Sequence, residues 1–151
     1  MGKLLYHFTS AAALKQILDS NRLELEGQHF VDEPLAYPVQ VARALDEQYS
    51  ACGRFVWFTE RRTYHSSNTP AMEAQGYSKN EAGIIIDSDL INAKKWHYVK
   101  RDNKNNAAFM KVAGENDRAA QRNGDDPYDW WVSPEPIDLT QIKFQTFFMD
   151  T

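Results

Sequence analysis

Near the centre of the chain, Arg54-Phe55-Val56-Trp57-Phe58-Thr59 forms an almost unbroken run of aromatic and β-branched residues. Side chains of this kind lose rotamer freedom in a helix and pack well on a pleated surface. The run is also shorter than a buried helix needs, so it predicts a strand in the middle of a sheet. The rest of the chain must then supply neighbours for that strand and cover for both its faces. Gly83-Ile84-Ile85-Ile86-Asp87 predicts a second buried strand, and Leu4-Leu5-Tyr6-His7-Phe8 a third. Thr9-Ser10 comes next as an N-cap, opening a helix with Leu14, Ile17 and Leu18 on one face, which puts His7 at a strand-to-helix junction.

The remaining elements are weaker. Asp19-Ser20-Asn21-Arg22 ends the first helix, and Leu23-Glu24-Leu25-Glu26-Gly27 alternates as a brief half-exposed strand. Pro34 and Pro38 interrupt regular structure after it, and Val41, Ala42, Leu45 and Tyr49 then carry a second amphipathic helix closed by Gly53. Between Glu60 and Asn80 the residues are mostly polar, a long connection of the kind that borders sites. Lys95-Trp96-His97-Tyr98-Val99 reads as a strand, residues 105–122 as a helix weakened by Gly114, and Tyr128-Asp129-Trp130-Trp131-Val132-Ser133 as a strand that begins with an acid. Trp130 and Trp131, as neighbours on a strand, point to opposite faces. Pro134 and Pro136 force a bend before a last alternating strand over 142–148. Helices early and strands late, without steady β-α alternation, predict an α+β fold with mostly antiparallel strands.

A length of 151 residues suits one domain, taken as spanning 1–151. With 17 Lys+Arg against 21 Asp+Glu the formal charge is -4, and no long basic run tracks a phosphate backbone, so extended duplex nucleic-acid binding is not expected. Arg54, Arg61 and Arg62 lie close in sequence and offer either a local pyrophosphate pocket or ordinary surface ion pairs. Cys52 is the one cysteine, which excludes an intrachain disulfide and suits a reducing cytosol. A histidine and polar residues interrupt the first apolar run before it reaches signal-peptide length, and no stretch is long enough to span a membrane. A cytoplasmic protein with no membrane partner is the expectation.

The chain has no Walker loop, GxGxxG, HExxH or GxSxG. Its four histidines share no helical i,i+4 face, so no metal site is expected. Three segments do carry a likeness: Tyr6-His7-Phe8-Thr9-Ser10, then Val56-Trp57-Phe58-Thr59-Glu60, then Asp129-Trp130-Trp131-Val132 ahead of Pro136-Ile137-Asp138-Leu139. In that order they resemble the three strand motifs of the ADP-ribosyltransferase-like superfamily. The first is similar to its Tyr-His-Gly-Thr motif, with Phe8 where the glycine stands. The second resembles the Ile-Tyr-Phe-Ala-Asp motif of poly-ADP-ribosyltransferase relatives, with Trp57 at the tyrosine and Tyr64 available for stacking. The third is similar to the end of DNA- and RNA-directed members and puts Asp129 where a glutamate is usual, with Glu135 as the rival acid.

The resemblance implies a split β-sandwich with NAD in its cleft. It implies catalytic roles for His7 on the ribose, Tyr64 on the nicotinamide and Asp129 beside the cationic sugar, and cofactor contacts from His7, Phe8, Thr9, Trp57, Phe58, Thr59 and Arg61. The partners it implies are NAD and a macromolecular acceptor, protein or nucleic acid. Each residue also has a plainer reading: His7 as a satisfied core histidine, Trp57 as core, Asp129 as a strand-start or turn cap, Glu135 as a solvated turn residue. Two other functions fit the same residues. One is an RNA 2′-phosphotransferase-like activity, which needs a basic pocket for two phosphates. The other is a catalytically silent phage or bacterial module that sequesters a nucleotide or blocks a partner, consistent with the replaced glycine and glutamate.

Overall fold

The computed structural model describes residues 2–26, 39–62, 81–122 and 124–149. Within them the chain forms an α+β arrangement built on a six-stranded sheet in which every neighbouring pair is antiparallel. The strands are β1 (Leu4–Thr9), β3 (Val56–Thr59), β4 (Ala82–Asp87), β5 (Lys94–Lys95), β6 (Trp130–Ser133) and β8 (Gln145–Phe148), in the order β5-β6-β3-β1-β4-β8. A separate two-stranded ribbon pairs β2 (Arg22–Leu23) with β7 (Ile137–Asp138). The helices are α1 (Ala11–Ser20), α2 (Val39–Cys52), α3 (Trp96–Asp102) and α4 (Ala107–Arg122).

As expected, residues 56–59 occupy a central strand, between β1 and β6. On its far side β1 pairs with β4 along its whole length, from Leu4 opposite Asp87 to Thr9 opposite Ala82. Toward β3 its register is a single pair, Tyr6 opposite Thr59. The β1–β3 ladder is thus the shortest in the sheet. Alternation sends Leu5, Ile84, Ile86, Val56 and Phe58 to one face, where they pack with Leu14 of α1, Leu23 and Ile137. The other face carries two clusters: Phe8, Ile85 and Phe147 on one half, and Trp57, Trp130 and Val132 under Trp96 and Phe109 on the other.

The ends of α1 match the sequence signals. Ser10 Oγ accepts from Ala13 N at 3.1 Å, Glu81 Oε1 accepts from Ala11 N at 3.1 Å, and Asn21 closes the helix in the left-handed region at φ 57°. Gly53, at φ 82°, closes α2 in the same way. Residues 96–99 correct the sequence reading: the strand ends at Lys95 and Trp96 opens a helix. Aromatic and β-branched composition favours a strand here, but Trp96 is fully buried between Trp57 and Phe109, and its indole donates to Asp117 Oδ1 of α4 at 3.0 Å. Burying such a ring stabilises by about 1.5–3 kcal/mol, more than the propensity difference. The helix read over 105–122 is present as α4, and α3 is the helix that the sequence reading did not place. The last two predicted strands are shorter than read: β6 starts at Trp130 after a 3-10 turn over Pro127–Asp129, and β8 begins at Gln145.

Gly83 has a steric reason to be glycine. A Cβ there would overlap both the His7 carbonyl oxygen and the Phe147 ring, which lies across the missing side chain in edge contact with Phe8. Gly83→Ala is expected to lower stability by roughly 1–3 kcal/mol through overpacking, measured by denaturant unfolding. An unchanged midpoint and slope would show that β1, β4 and β8 do not meet this closely.

Candidate functional site

His7 is half-buried in the middle of β1, beside its short ladder with β3. Its Nδ1 lies 2.8 Å from the carbonyl oxygen of Trp57. A carbonyl only accepts, so Nδ1 carries the proton and Nε2 of the neutral ring is an acceptor. The imidazole also meets Phe58 edge to face, at 5.7 Å between centroids. Phe58 is opposite Trp131 on β6, so His7, Phe58 and Trp131 share one face of the sheet across three adjacent strands.

The chain holds four tryptophans, and three of their indole N–H groups end on carboxylates. Trp57 donates to Glu26 Oε2 at 2.7 Å, Trp96 to Asp117 as above, and Trp130 to Asp125 Oδ2 at 2.8 Å. The fourth, Trp131 Nε1, is buried with no acceptor among the described residues. Buried N–H groups are nearly always satisfied, so this donor, on the His7 face, is the exception among the four indoles.

Asp129 ends the 3-10 turn at the mouth of β6. Its carbonyl accepts from Glu60 N at 3.0 Å, continuing the β3–β6 ladder, and its carboxylate pairs with Arg61 Nε at 2.6 Å. Strand geometry sets Asp129 about 10 Å across and about 7 Å along the strands from His7, a span that one nucleotide sugar and its ring can bridge. Glu60, the residue opposite Asp129, has its Oε1 buried, 3.1 Å from Lys3 Nζ. Glu60 is a second candidate acid, one that the motif resemblance does not single out. The signal for it in the sequence is its place two residues after Phe58, at the end of the second motif.

The other candidates are dispersed. Phe8 lies on the opposite face from His7, packed on Phe147, so its ring does not narrow the His7 side. Trp57 is also on the far face, in contact with Trp96 and Trp130. Thr9 and Thr59 are buried, and Thr59 Oγ1 accepts from Arg61 N at 3.2 Å. Arg54 and Arg61 flank β3 at opposite ends, Arg54 Nε donating to Glu26 O at 2.9 Å, so the arginines do not gather into one pocket. Glu135 is exposed in the turn after β6, its carbonyl accepting from Ser133 Oγ at 2.8 Å. Tyr64 and the rest of the 63–80 connection lie outside the described residues.

Two groups on the far face of the sheet are tuned by burial. The Cys52 thiol is pushed up to about 11, by burial first and by Glu26 next, and is unreactive at neutral pH. The Asp125 carboxyl is held above its ordinary range, again mainly by burial, against hydrogen bonds from Trp130 and Asp126 N and the charge of Arg61. No helix among the described residues is long and apolar enough to cross a membrane. Comparison with known proteins returned no matching family model, curated protein or solved structure.

Because the folded pKa of Asp125 lies above the unfolded value, the native state takes up this proton first as pH falls. Its contribution to stability therefore rises from neutral pH down to the unfolded carboxylate pKa, about 3.9. Asp125→Asn lacks that gain. Relative to the parent it should be less stable at about pH 4 than at about pH 7. A gap in unfolding free energy that stays constant or narrows toward acid would contradict the burial of this carboxyl.

Proposed function

We propose that this chain is an ADP-ribosyltransferase-like enzyme that binds NAD and transfers ADP-ribose to a macromolecular acceptor. The observation that carries the reading is the grouping of His7, with its proton fixed on Nδ1, Phe58 and the unsatisfied indole N–H of Trp131 on one sheet face. They stand beside the short β1–β3 ladder, with a carboxylate at the end of the next strand. The replaced motif glycine, Phe8, is packed on the other face and takes no room beside His7.

NAD supplies an activated ribosyl group whose glycosidic bond to a cationic nicotinamide is already weak. The roles left to the protein are few. His7 Nε2 accepts a ribose hydroxyl and fixes the sugar. Phe58, buried against the imidazole, fixes its ring, and half-buried Trp131 offers an aromatic ring and its Nε1 donor. Asp129 faces the positive charge that grows on the ribose as the bond breaks, in a half-buried setting where an anion acts more strongly than in water. Arg61, half exposed and paired with that acid, is suited to turn its outer edge to the pyrophosphate. The RNA 2′-phosphotransferase reading has less support, because Arg54 and Arg61 flank opposite ends of β3.

His7→Ala is expected to weaken NAD binding by about 1.5–3 kcal/mol, read by calorimetry. No heat with the parent protein well above millimolar NAD would end the reading. Asp129→Asn, which keeps the side chain's shape, should lower nicotinamide release on the order of a hundredfold while changing NAD affinity less than about tenfold, since the charge acts mainly in the transition state. Activity lost in Glu60→Gln but kept in Asp129→Asn would move the acid one strand across. Activity kept in both would leave no acid for the mechanism.

A further inference from the structure

The charges of this acidic chain are unevenly placed. Between residues 94 and 104 stand Lys94, Lys95, Lys100, Arg101 and Lys104 against a single acid, Asp102, in a chain whose formal charge is -4. The segment is β5, the outermost strand at one edge of the sheet, and α3, which packs on the 3-10 turn that carries Tyr128. Lys100 is engaged with Asp117 of α4 and Arg101 Nε lies 3.8 Å from Asp102, while Asp126 adds an acid beside Tyr128, so Lys94, Lys95 and Lys104 are what leave this surface net positive.

Two large rings are exposed among those cations, Tyr98 at 43% and Tyr128 at 59%. Arg101 Cζ sits 4.8 Å over the Tyr98 ring, and Lys95 Nζ 5.6 Å from the Tyr128 centroid. His97 stacks on Tyr128 with centroids 4.4 Å apart and planes within 6°, and its other neighbour is Tyr98, at 4.1 Å. The three rings adjoin one another, and the area of Tyr98 and Tyr128 that Arg101, Lys95 and His97 leave uncovered faces solvent. The imidazole pKa lies below its ordinary value, through desolvation first and then through the charges of Lys95, Lys100 and Arg101.

We infer that this surface binds single-stranded nucleic acid, with unpaired bases stacking on Tyr98 and Tyr128 and phosphates meeting Lys94, Lys95 and Arg101. Exposed aromatic faces next to cations are what unpaired bases and their backbone recognise together. A duplex keeps its bases stacked inside and offers these tyrosines nothing. An acidic peptide would use the charges and leave the rings idle. The inference stands without the transferase reading. Should both hold, a strand on Tyr128 runs beside Asp129, the next residue, and becomes the acceptor.

The test uses the full chain without NAD, so that its outcome is independent of transfer chemistry. Fluorescence anisotropy would follow labelled short single strands of DNA and of RNA, the matching duplex, and displacement by poly-glutamate. At least one single strand should bind more tightly than the duplex, with affinity falling as salt rises. The ratio of the DNA and RNA affinities then tells which strand the surface prefers. Tyr98→Ala and Tyr128→Ala should each weaken binding about tenfold. Tyr128→Phe should restore it, because stacking needs the ring and not the hydroxyl. Arg101→Gln should lower the slope of log affinity against log salt by about 0.7. Because both tyrosines are exposed, parent-like unfolding of the alanine variants checks that the fold is kept. Equal binding of duplex and single strand, parent-like affinity in a folded Tyr128→Ala, or displacement by poly-glutamate as effective as by unlabelled strand would each overturn the inference.

Discussion

The hydrogen bond from His7 Nδ1 to the Trp57 carbonyl crosses the sheet at its shortest ladder. Between β1 and β3 the ladder register reduces to Tyr6 opposite Thr59, and the imidazole takes over where the backbone pairing stops. This single contact couples three properties of the molecule. It adds a side-chain bond to the ladder and the shared core that hold β3 against β1. It sets the tautomer of the histidine, and it fixes the ring at the edge of Phe58. A histidine serves here because a planar ring can donate to a backbone carbonyl and still present an acceptor nitrogen on its other side.

The far face of the same strands is built on a different principle. Trp57, Trp96 and Trp130 contact one another through their rings, and each sends its indole N–H to a carboxylate drawn from a different segment: Glu26, Asp117 and Asp125. A buried indole gains apolar contact and needs one acceptor, so each pairing ties a segment to the sheet. Glu26 brings in the chain after β2, Asp117 brings α4, and Asp125 brings the turn before β6. Burial raises the Asp125 carboxyl, so in that pairing the indole bond offsets only part of the cost of desolvating an acid. Trp131, next to Trp130 in sequence, points the other way and has no such partner among the described residues. The two neighbours divide the work of the strand, one closing the aromatic core and one facing the His7 side.

Charge obeys the same division. Lys3–Glu60 and Arg61–Asp129 lie where β1, β3 and β6 end together, while the Lys- and Arg-rich segment lies along the β5 edge. Tyr128 and Asp129 are adjacent in the turn that joins the two regions. An acidic net charge and a locally positive face coexist because the basic residues are contiguous in sequence and stay contiguous on a short strand and a short helix.

Sequence alone determined the α+β class, the central strand over 56–59, the buried strand after Gly83, the caps of α1, and the opposed directions of Trp130 and Trp131. These rest on local physics: side-chain period, rotamer restriction and backbone capping act over a few residues and leave their pattern in the order of the amino acids. It misread residues 96–99, because the burial of Trp96 and its bond to Asp117 come from α4 and outweigh the local preference for a strand. It left open whether Arg54 and Arg61 form one pocket, because a four-residue strand between them separates them in space while closeness in sequence says nothing of direction. Which motif residues share a face with His7 was decided by strand register, which is set by long-range pairing: Phe58 and Trp131 came to that side, and Phe8 and Trp57 went to the other.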